Sequence, residues 1–399
     1  MHEPSPSSNP PVKVMLVYGT RPEAIKLAPL VRALEADSRF TPVVVVTGQH
    51  REMLDQVNSF FSITPDCDLN VHRSGQTLTE VTTKVLEGTG EQITVHRPDV
   101  VVVQGDTTSA FAGALAAFYH QVPVAHVEAG LRSGTIASPF PEEGNRRLIG
   151  QVASINLCPT ASSRDNLLRD GFDPQSLVVT GNTVIDALLE TVSRPVHLAD
   201  PTLEHLIQDS GQRVVLATAH RRESWGEPMR RVGRAVSRLA SARPNATFVL
   251  PAHRNPIVRE ALLPAVQDLP NVIVTEPLEY AQFCALMNRS DLVLTDSGGV
   301  QEEAPALSKP VLVMRENTER PEAVAAGVAQ LVGTDEERIV RTVSTLLDDA
   351  EAYHRMARAT NPYGDGRACE RILAALAAVF GQGQRLPDFT YTAQPKEEQ

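Results

Sequence analysis

Residues 291–313 read DLVLTDSGGVQEEAPALSKPVLV. Asp291 to Thr295 is apolar and β-branched enough for a buried strand. The pattern breaks at Asp296-Ser297-Gly298-Gly299, Val300 to Leu307 reads as a short helix, and Pro310 introduces a second buried strand over Val311 to Met314. A strand that ends in Ser-Gly-Gly and opens a helix presents free backbone N–H groups at a positive helix end. Glycine there lets a phosphate come close to the backbone. Glu302 and Glu303, a few residues on, are placed to accept from a ribose diol. An ordinary βα turn, with Gly-Gly only making the corner, explains the stretch equally well.

The same strand–turn–helix unit recurs on either side. Val12–Val17 runs into Gly19-Thr20-Arg21-Pro22-Glu23 and a helix from about Ala24 to Ala36, with Thr20 suited to the cap and Pro22 to the first turn. Strands over Pro42–Val46, Val100–Val103, Val122–His126, Ile155–Cys158 and Val178–Thr180 follow, with helices over Met53–Phe61, Ser109–Tyr119 and from Thr160 to about Asp170. The pattern restarts with strands at Val214–Thr218, Thr247–Leu250 and Val272–Thr275. It ends in a long helical stretch from Asp335 to about Ala357 and a last helix with its core at Arg371–Phe380. Repeated units of this kind mean parallel sheets covered by helices on both faces. GxGxxG is absent after the first strand, which argues against a nicotinamide cofactor bound in the usual way.

Composition sets the frame. A chain of 399 residues is long for one core, so two domains of somewhat under ~200 residues each are expected. Periodicity fails near Glu190–Gln212. The reading is therefore α/β: a Rossmann-like domain over 12–190 with a C-terminal helix at about 367–382 returning to it, a second Rossmann-like domain over 191–366, and tails at 1–11 and 383–399. The Pro/Ser-rich start has no apolar core and reads as disordered, not as a signal peptide. A formal charge of −11 argues against nucleic acid or an anionic membrane as a partner. Four scattered cysteines without CxxC fit a reducing cytoplasm and no metal site.

In open parallel sheets the ligand sits at the carboxyl ends of the strands. Arg21, His50, Asp106 and Glu128 gather at such ends in the first half, and His220-Arg221-Arg222 does so in the second, where it suggests diphosphate binding. Arg21 and Lys26 flank a helix start and could hold phosphate oxygens. The segment RSGTIASPFPEEGNRR (132–147) has little periodicity. Its Glu142 and Glu143 read as first-turn acids of a helix. With Asp106 and Glu128, Glu142 also makes acid/base work plausible, while a salt-bridge network with Arg21, Arg132 and Arg146 is equally legal.

Taken together, the motifs resemble those of the non-hydrolysing UDP-N-acetylglucosamine 2-epimerases of bacteria over roughly residues 12 to 382. The resemblance is carried by GTRPEAIKLAPL at Gly19, QHREMLDQV at Gln49, QGDTTS at Gln104, HVEAGLRSG at His126 and SPFPEEGNR at Ser138. It continues in GNTVIDAL at Gly181, AHRRES at Ala219, LTDSGGVQEEAP at Leu294, TERPEAV at Thr318 and NPYGDGRA at Asn361. It implies the two-domain architecture of nucleotide-sugar glycosyltransferases, with the domains facing across a cleft. It also implies reversible conversion of UDP-GlcNAc to UDP-ManNAc without a cofactor, by elimination of UDP and its re-addition to a 2-acetamidoglucal.

Residue by residue, the resemblance implies Asp106, Glu128 and Glu142 as catalytic carboxylates and His220 as the histidine near the diphosphate. It implies Arg21, Ser297, Gly298 and Gly299 as phosphate contacts, Glu303 at the ribose, Phe283 on the uracil side, and Lys26 and Arg320 as further site positions. A second UDP-GlcNAc, acting as activator, would meet Gln49, Gln76, Arg221 and His253, and a homodimer is implied. Gln104 stands where many relatives have His, and Ser74-Gly75 precedes Gln76 where some have a basic residue. A glycosyltransferase of the same architecture, or a 2-epimerase for a modified UDP-sugar, are the competing readings.

Overall fold

The computed structural model describes residues 10–49, 51–73, 75–209 and 211–391. His50, Ser74, most of the N-terminal tail and the last eight residues lie outside the described residues. The chain divides into two compact units. One holds the chain up to Ala187 together with Tyr363–Thr390; the other holds Leu188–Pro362.

The first unit contains β1 (Val12–Tyr18), α1 (Arg21–Ala36), β2 (Phe40–Val46), α2 (Arg51–Phe60), β3 (Cys67–Asp68), α3 (Leu78–His96) and β4 (Val100–Gln104). It continues through α4 (Thr108–Tyr119), β5 (Val124–Val127), α5 (Glu142–Val152), β6 (Ile155–Cys158), α6 (Ala161–Arg169), β7 (Leu177–Val179) and the start of α7 (Thr183–Val192). Its seven strands are parallel in the order β3-β2-β1-β4-β5-β6-β7. Val100 to Val103 are fully buried, as a strand covered by helices on both faces requires, and this is why the run is apolar without alternation.

The second unit contains α8 (Pro201–Gln208), β8 (Arg213–Thr218), α9 (Glu227–Ala242), β9 (Ala246–Pro251), α10 (Pro256–Leu262), β10 (Val272–Thr275), α11 (Tyr280–Arg289) and β11 (Leu292–Thr295). After it come α12 (Gly298–Ala306), β12 (Val311–Val313), α13 (Pro321–Ala325), β13 (Ala329–Leu331), α14 (Glu336–Asp348) and α15 (Ala350–Ala357). Its six strands are parallel in the order β10-β9-β8-β11-β12-β13. The fold class is thus α/β, with two Rossmann-like units. The last helix, α16 (Ala368–Val379), belongs to the first unit. Among the described residues no helix is long and apolar enough to cross a membrane.

The structure departs from the sequence reading in places, each with a local cause. The 19-residue α3 goes unassigned because β-branched residues and two glycines dilute its helical propensity. Its signal lies at its start, where Thr77 and Glu80 form a capping box. The stretch from Asp335 to Ala357 is two helices, because Asp349 ends α14 and its carboxylate accepts the Glu351 and Ala352 amides that open α15.

The units divide after Ala187 and before Tyr363, not at 190 and 366. The turn at Tyr363 belongs with the first unit, since its carbonyl accepts the Asn182 amide at 2.7 Å. Residues 383–391 are more than a polar tail: Phe389 is buried, and its amide donates to the Val179 carbonyl at 2.7 Å. Asp388 accepts the Val179 amide, so this segment covers the open edge of β7. A few apolar residues in a segment broken by Gly and Pro carry no periodicity to reveal that.

Candidate active site

In the first unit β1, β4 and β5 are adjacent, so the loops after them open at the same sheet edge. Gly19 begins the first loop. A Cβ there would fall 1.9 Å from the Thr47 hydroxyl oxygen, so only glycine lets β1 turn into α1 at this point. Glu23, in the first turn of α1, is buried and accepts from the Gly19 amide (3.0 Å), the Thr20 amide (2.8 Å) and the Thr107 hydroxyl (2.5 Å). Thr107 caps α4 through the Ala110 amide. One carboxylate therefore ties the start of α1 to the loop that carries Asp106. Burial raises the Glu23 carboxyl, and these hydrogen bonds only partly offset the rise.

Glu128 follows β5 in the left-handed region, with φ of 66°, a conformation that aims a strand-end side chain where a regular exit would not. Lys26 Nζ lies 2.6 Å from both of its carboxylate oxygens, and the Gln104 amide nitrogen donates to Oε2. Asp106 accepts from Arg146 Nε at 2.9 Å and also pairs with Arg146 Nη2, and its backbone carbonyl accepts from Asn145 Nδ2. Burial raises the Asp106 carboxyl above its ordinary 3.8; Arg146 pulls it back, and the charge of Glu128 adds to the rise. Nearby, burial drives the His126 ring down to about 4, so it is neutral, and its Nε2–H donates to the Gly105 carbonyl at 2.7 Å.

A raised folded-state pKa costs stability when the group is ionised. The contribution is most favourable below 3.8 and is lost as pH rises through the folded value. Asp106→Asn is therefore expected to melt at or above the parent temperature at pH 7–8. The gap should close as pH falls toward 4, and thermal melts across that range read it directly.

Glu142 and Glu143 open α5, as first-turn acids should. They differ sharply. Glu143 is fully buried and held by Arg146, Arg147 and the Ser133 amide. Glu142 is half-buried and makes no hydrogen bond or ion pair among the described residues. The salt-bridge network foreseen from the sequence exists, but Glu143 carries it, and Arg132 pairs instead with Asp170. Arg21, the first residue of α1, is exposed. Gln49 accepts from the Ser109 hydroxyl at 2.9 Å. Gln76 lies in the turn before α3, where its side chain accepts from the Arg73 amide, and no bond among the described residues joins it to this group.

In the second unit the exits of β8 and β11 meet at Asp296. Its buried carboxylate accepts the His220 amide (2.7 Å) and the Arg221 amide (2.8 Å) on Oδ2. His220 Nδ1 stands 2.9 Å from Oδ1, at charge-pairing distance with the ring turned off the hydrogen-bond line. Burial alone would raise the Asp296 carboxyl, but the close His220 ring, with the His220 and Arg221 amides, more than offsets it and holds it below 3.8. Arg221 Nε reaches the Asp296 carbonyl, and the His220 ring stacks on His253 with centroids 5.9 Å apart.

Ser297 caps α12, and Gly298 and Gly299 are its first residues, so the helix starts two residues earlier than Val300. Gln301 links the Ser297 carbonyl to Thr318, whose hydroxyl accepts the Arg320 amide. The Arg320 guanidinium pairs with Glu302. Glu303, one residue on, is largely buried and lends negative charge to Tyr280 and Cys284. Burial pushes both of those groups well above their ordinary values, so neither ionises. Phe283 is half-buried between them on α11.

Sequence reasoning gave no role to Glu23 and Asp296 and read Glu143 only as a first-turn acid, yet these are buried acids that hold the loops. The signals were present: Glu23 completes a capping pattern with Thr20, and Asp296 ends an otherwise apolar strand.

A family model described as UDP-N-acetylglucosamine 2-epimerase matches residues 32–377. The chain belongs to that family. It is 51% identical over 369 residues to the UDP-N-acetylglucosamine 2-epimerase of Salmonella typhimurium, covering 92% of this chain and 98% of the relative. A crystal structure of a putative UDP-N-acetylglucosamine 2-epimerase from Listeria monocytogenes is similar at a TM-score of 0.90 and 47% identity, over 95% of this chain and 100% of that one. The UDP-GlcNAc 2-epimerase of Neisseria meningitidis, solved bound to UDP-GlcNAc, matches at a TM-score of 0.81 and 44% identity, over 92% and 100% of the two chains. For a member of the 2-epimerase family, the acid-rich strand exits of the first unit and the helix start with its Asp296-held histidine in the second are the features that demand a chemical explanation.

Proposed function

We propose that this enzyme interconverts UDP-GlcNAc and UDP-ManNAc by eliminating UDP and adding it back. Family membership and the UDP-GlcNAc complex of the Neisseria meningitidis relative support the reaction. The observation that carries the mechanism is the pairing of two unlike carboxyls at one sheet edge. Glu128 is braced by Lys26 and Gln104, and Asp106 is pushed toward its protonated form.

C2 of the sugar has no neighbouring carbonyl, so its proton is not acidic. In the elimination a carboxylate takes that proton, the C2–H electron pair becomes the C1=C2 bond, and the C1–O bond breaks with its pair leaving on UDP. In the return step UDP re-forms the C1–O bond while a carboxylic acid protonates C2 on the opposite face. Two carboxyls in opposite protonation states suit this exchange. Asp106, Glu128 and Glu142 are the proposed acid/base set, with Lys26 and Arg21 beside them. The backbone N–H groups of Gly298 and Gly299 at the α12 start, with Ser297, His220 and Arg320, stabilise the departing diphosphate. Glu303 takes the ribose and Phe283 the uracil side. Activation by a second UDP-GlcNAc through Gln49, Gln76, Arg221 and His253, and a homodimeric state, belong to the same proposal.

Proton NMR of the enzyme with UDP-GlcNAc in D2O tests it. UDP-ManNAc signals should grow, with deuterium at C2 of the product. Unchanged UDP-GlcNAc, or free UDP and ManNAc as the main products, would overturn the proposal.

A further inference from the structure

Gln104 is the one polar residue in the strand VVVVQ, and it is almost wholly buried. A buried primary amide needs partners, because leaving it unpaired costs free energy that an apolar residue there would not. Its strand position explains the partner it finds. Gln104 pairs in register with Val127 on β5, one residue before Glu128. An ionised carboxylate only accepts hydrogen bonds, so the amide must turn its nitrogen toward Glu128 and its oxygen away. Lys26 closes on the same carboxylate from α1.

We infer that Gln104 is a positioning residue that holds Glu128 as an ionised carboxylate. The inference deepens the acid/base assignment proposed above and rests on it for its kinetic readout. The choice of an amide matters. Unlike a second lysine or arginine, it anchors an oxygen without adding charge, so Glu128 keeps the basicity needed to take a proton. The charged and titratable groups around Glu128 include Lys26 from α1, Asp106 after β4 with its partner Arg146 from α5, and His126 on β5. His126 is neutral and brings no positive charge, while Lys26 and Gln104 both bond the Glu128 carboxylate directly. The β4–β5 edge thereby separates two carboxyls into a base and an acid.

The test uses the full-length enzyme with 13C-labelled glutamate carboxyls, the Glu128 signal being assigned from its loss in Glu128→Gln. Gln104→Met keeps the length of the side chain and removes the donor. The Glu128 titration midpoint and the acid limb of the kcat profile should rise together by about one pH unit, with UDP affinity unchanged. Gln104→His, which retains an N–H donor, should move both back toward the parent values. If the methionine variant folds poorly, Gln104→Leu, which also lacks the donor, replaces it with the same expected shift. An unshifted Glu128 midpoint in Gln104→Met would overturn the inference. So would a kcat lowered equally at every pH, since that is the mark of packing alone. If the parent makes no UDP-ManNAc, the functional proposal fails, while the NMR titration still decides the role of Gln104.

Discussion

Glu128→Gln is expected to lower turnover of UDP-GlcNAc by about 10²- to 10⁴-fold, the range seen when a positioned general base is removed. UDP affinity should stay within a few-fold of the parent. The substitution is nearly isosteric and leaves Lys26 and Gln104 in place. It replaces the acceptor of a proton by an amide that can take none. Because most of the phosphate contacts proposed here come from the second unit, with Arg21 the exception, binding and chemistry should largely separate. Steady-state turnover by NMR and UDP binding by calorimetry measure the two halves. Parent-like turnover in Glu128→Gln would remove this residue from the mechanism. Asp106→Asn and Glu142→Gln should also fall by orders of magnitude. Glu142 is the most informative contrast, since no ion pair among the described residues accounts for it.

Asp296→Ala should be the most damaging change in the second unit. The aspartate is 1% exposed, accepts two part-buried amides and stands beside the His220 ring. Its loss leaves those two amides without their acceptor; a fully buried donor would cost roughly 1–3 kcal/mol and a part-buried one less, so destabilisation of about 2 kcal/mol is expected. UDP affinity should drop at least tenfold, because His220 and Arg221 lose the group that orients them. Trp225 is the only tryptophan in the chain, and its indole N–H reaches the His220 carbonyl, so its fluorescence during denaturation reports on this loop.

The acid dependence has a definite sign. Asp296 is held below 3.8 in the folded protein, so its contribution is present above 3.8 and is lost as pH falls through the folded value. The stability gap between parent and Asp296→Ala should narrow in strongly acidic solution and not at alkaline pH. A gap constant down to pH 2 would count against the role given to Asp296.

The sequence alone determined the α/β class and the division into two Rossmann-like units. Strands such as VVVVQ and LVLT must be buried on both faces, and apolar runs of that kind, each followed by a polar turn and a helix, admit few other folds. It also marked the loops proposed to carry chemistry, because in parallel sheets the strand exits are known once the strands are. Family motifs then singled out individual residues within those loops.

Only the tertiary structure decided which of two neighbouring acids does what. Glu142 and Glu143 are adjacent in the chain and equally suited to a helix start, yet one faces outward without an ion pair and the other is buried among arginines. Helix phase and the position of Arg146 and Arg147 make that difference, and neither can be read from composition or spacing. The same holds for Glu302, whose pairing with Arg320 only the fold shows. It holds equally for Phe389, whose place against β7 depends on where the sheet ends. Ionisation is the clearest case of all. Asp106 and Glu128 are both acids at strand ends, and only the fold shows that burial raises the Asp106 carboxyl against the pull of Arg146, while Lys26 and Gln104 bond the carboxylate of Glu128.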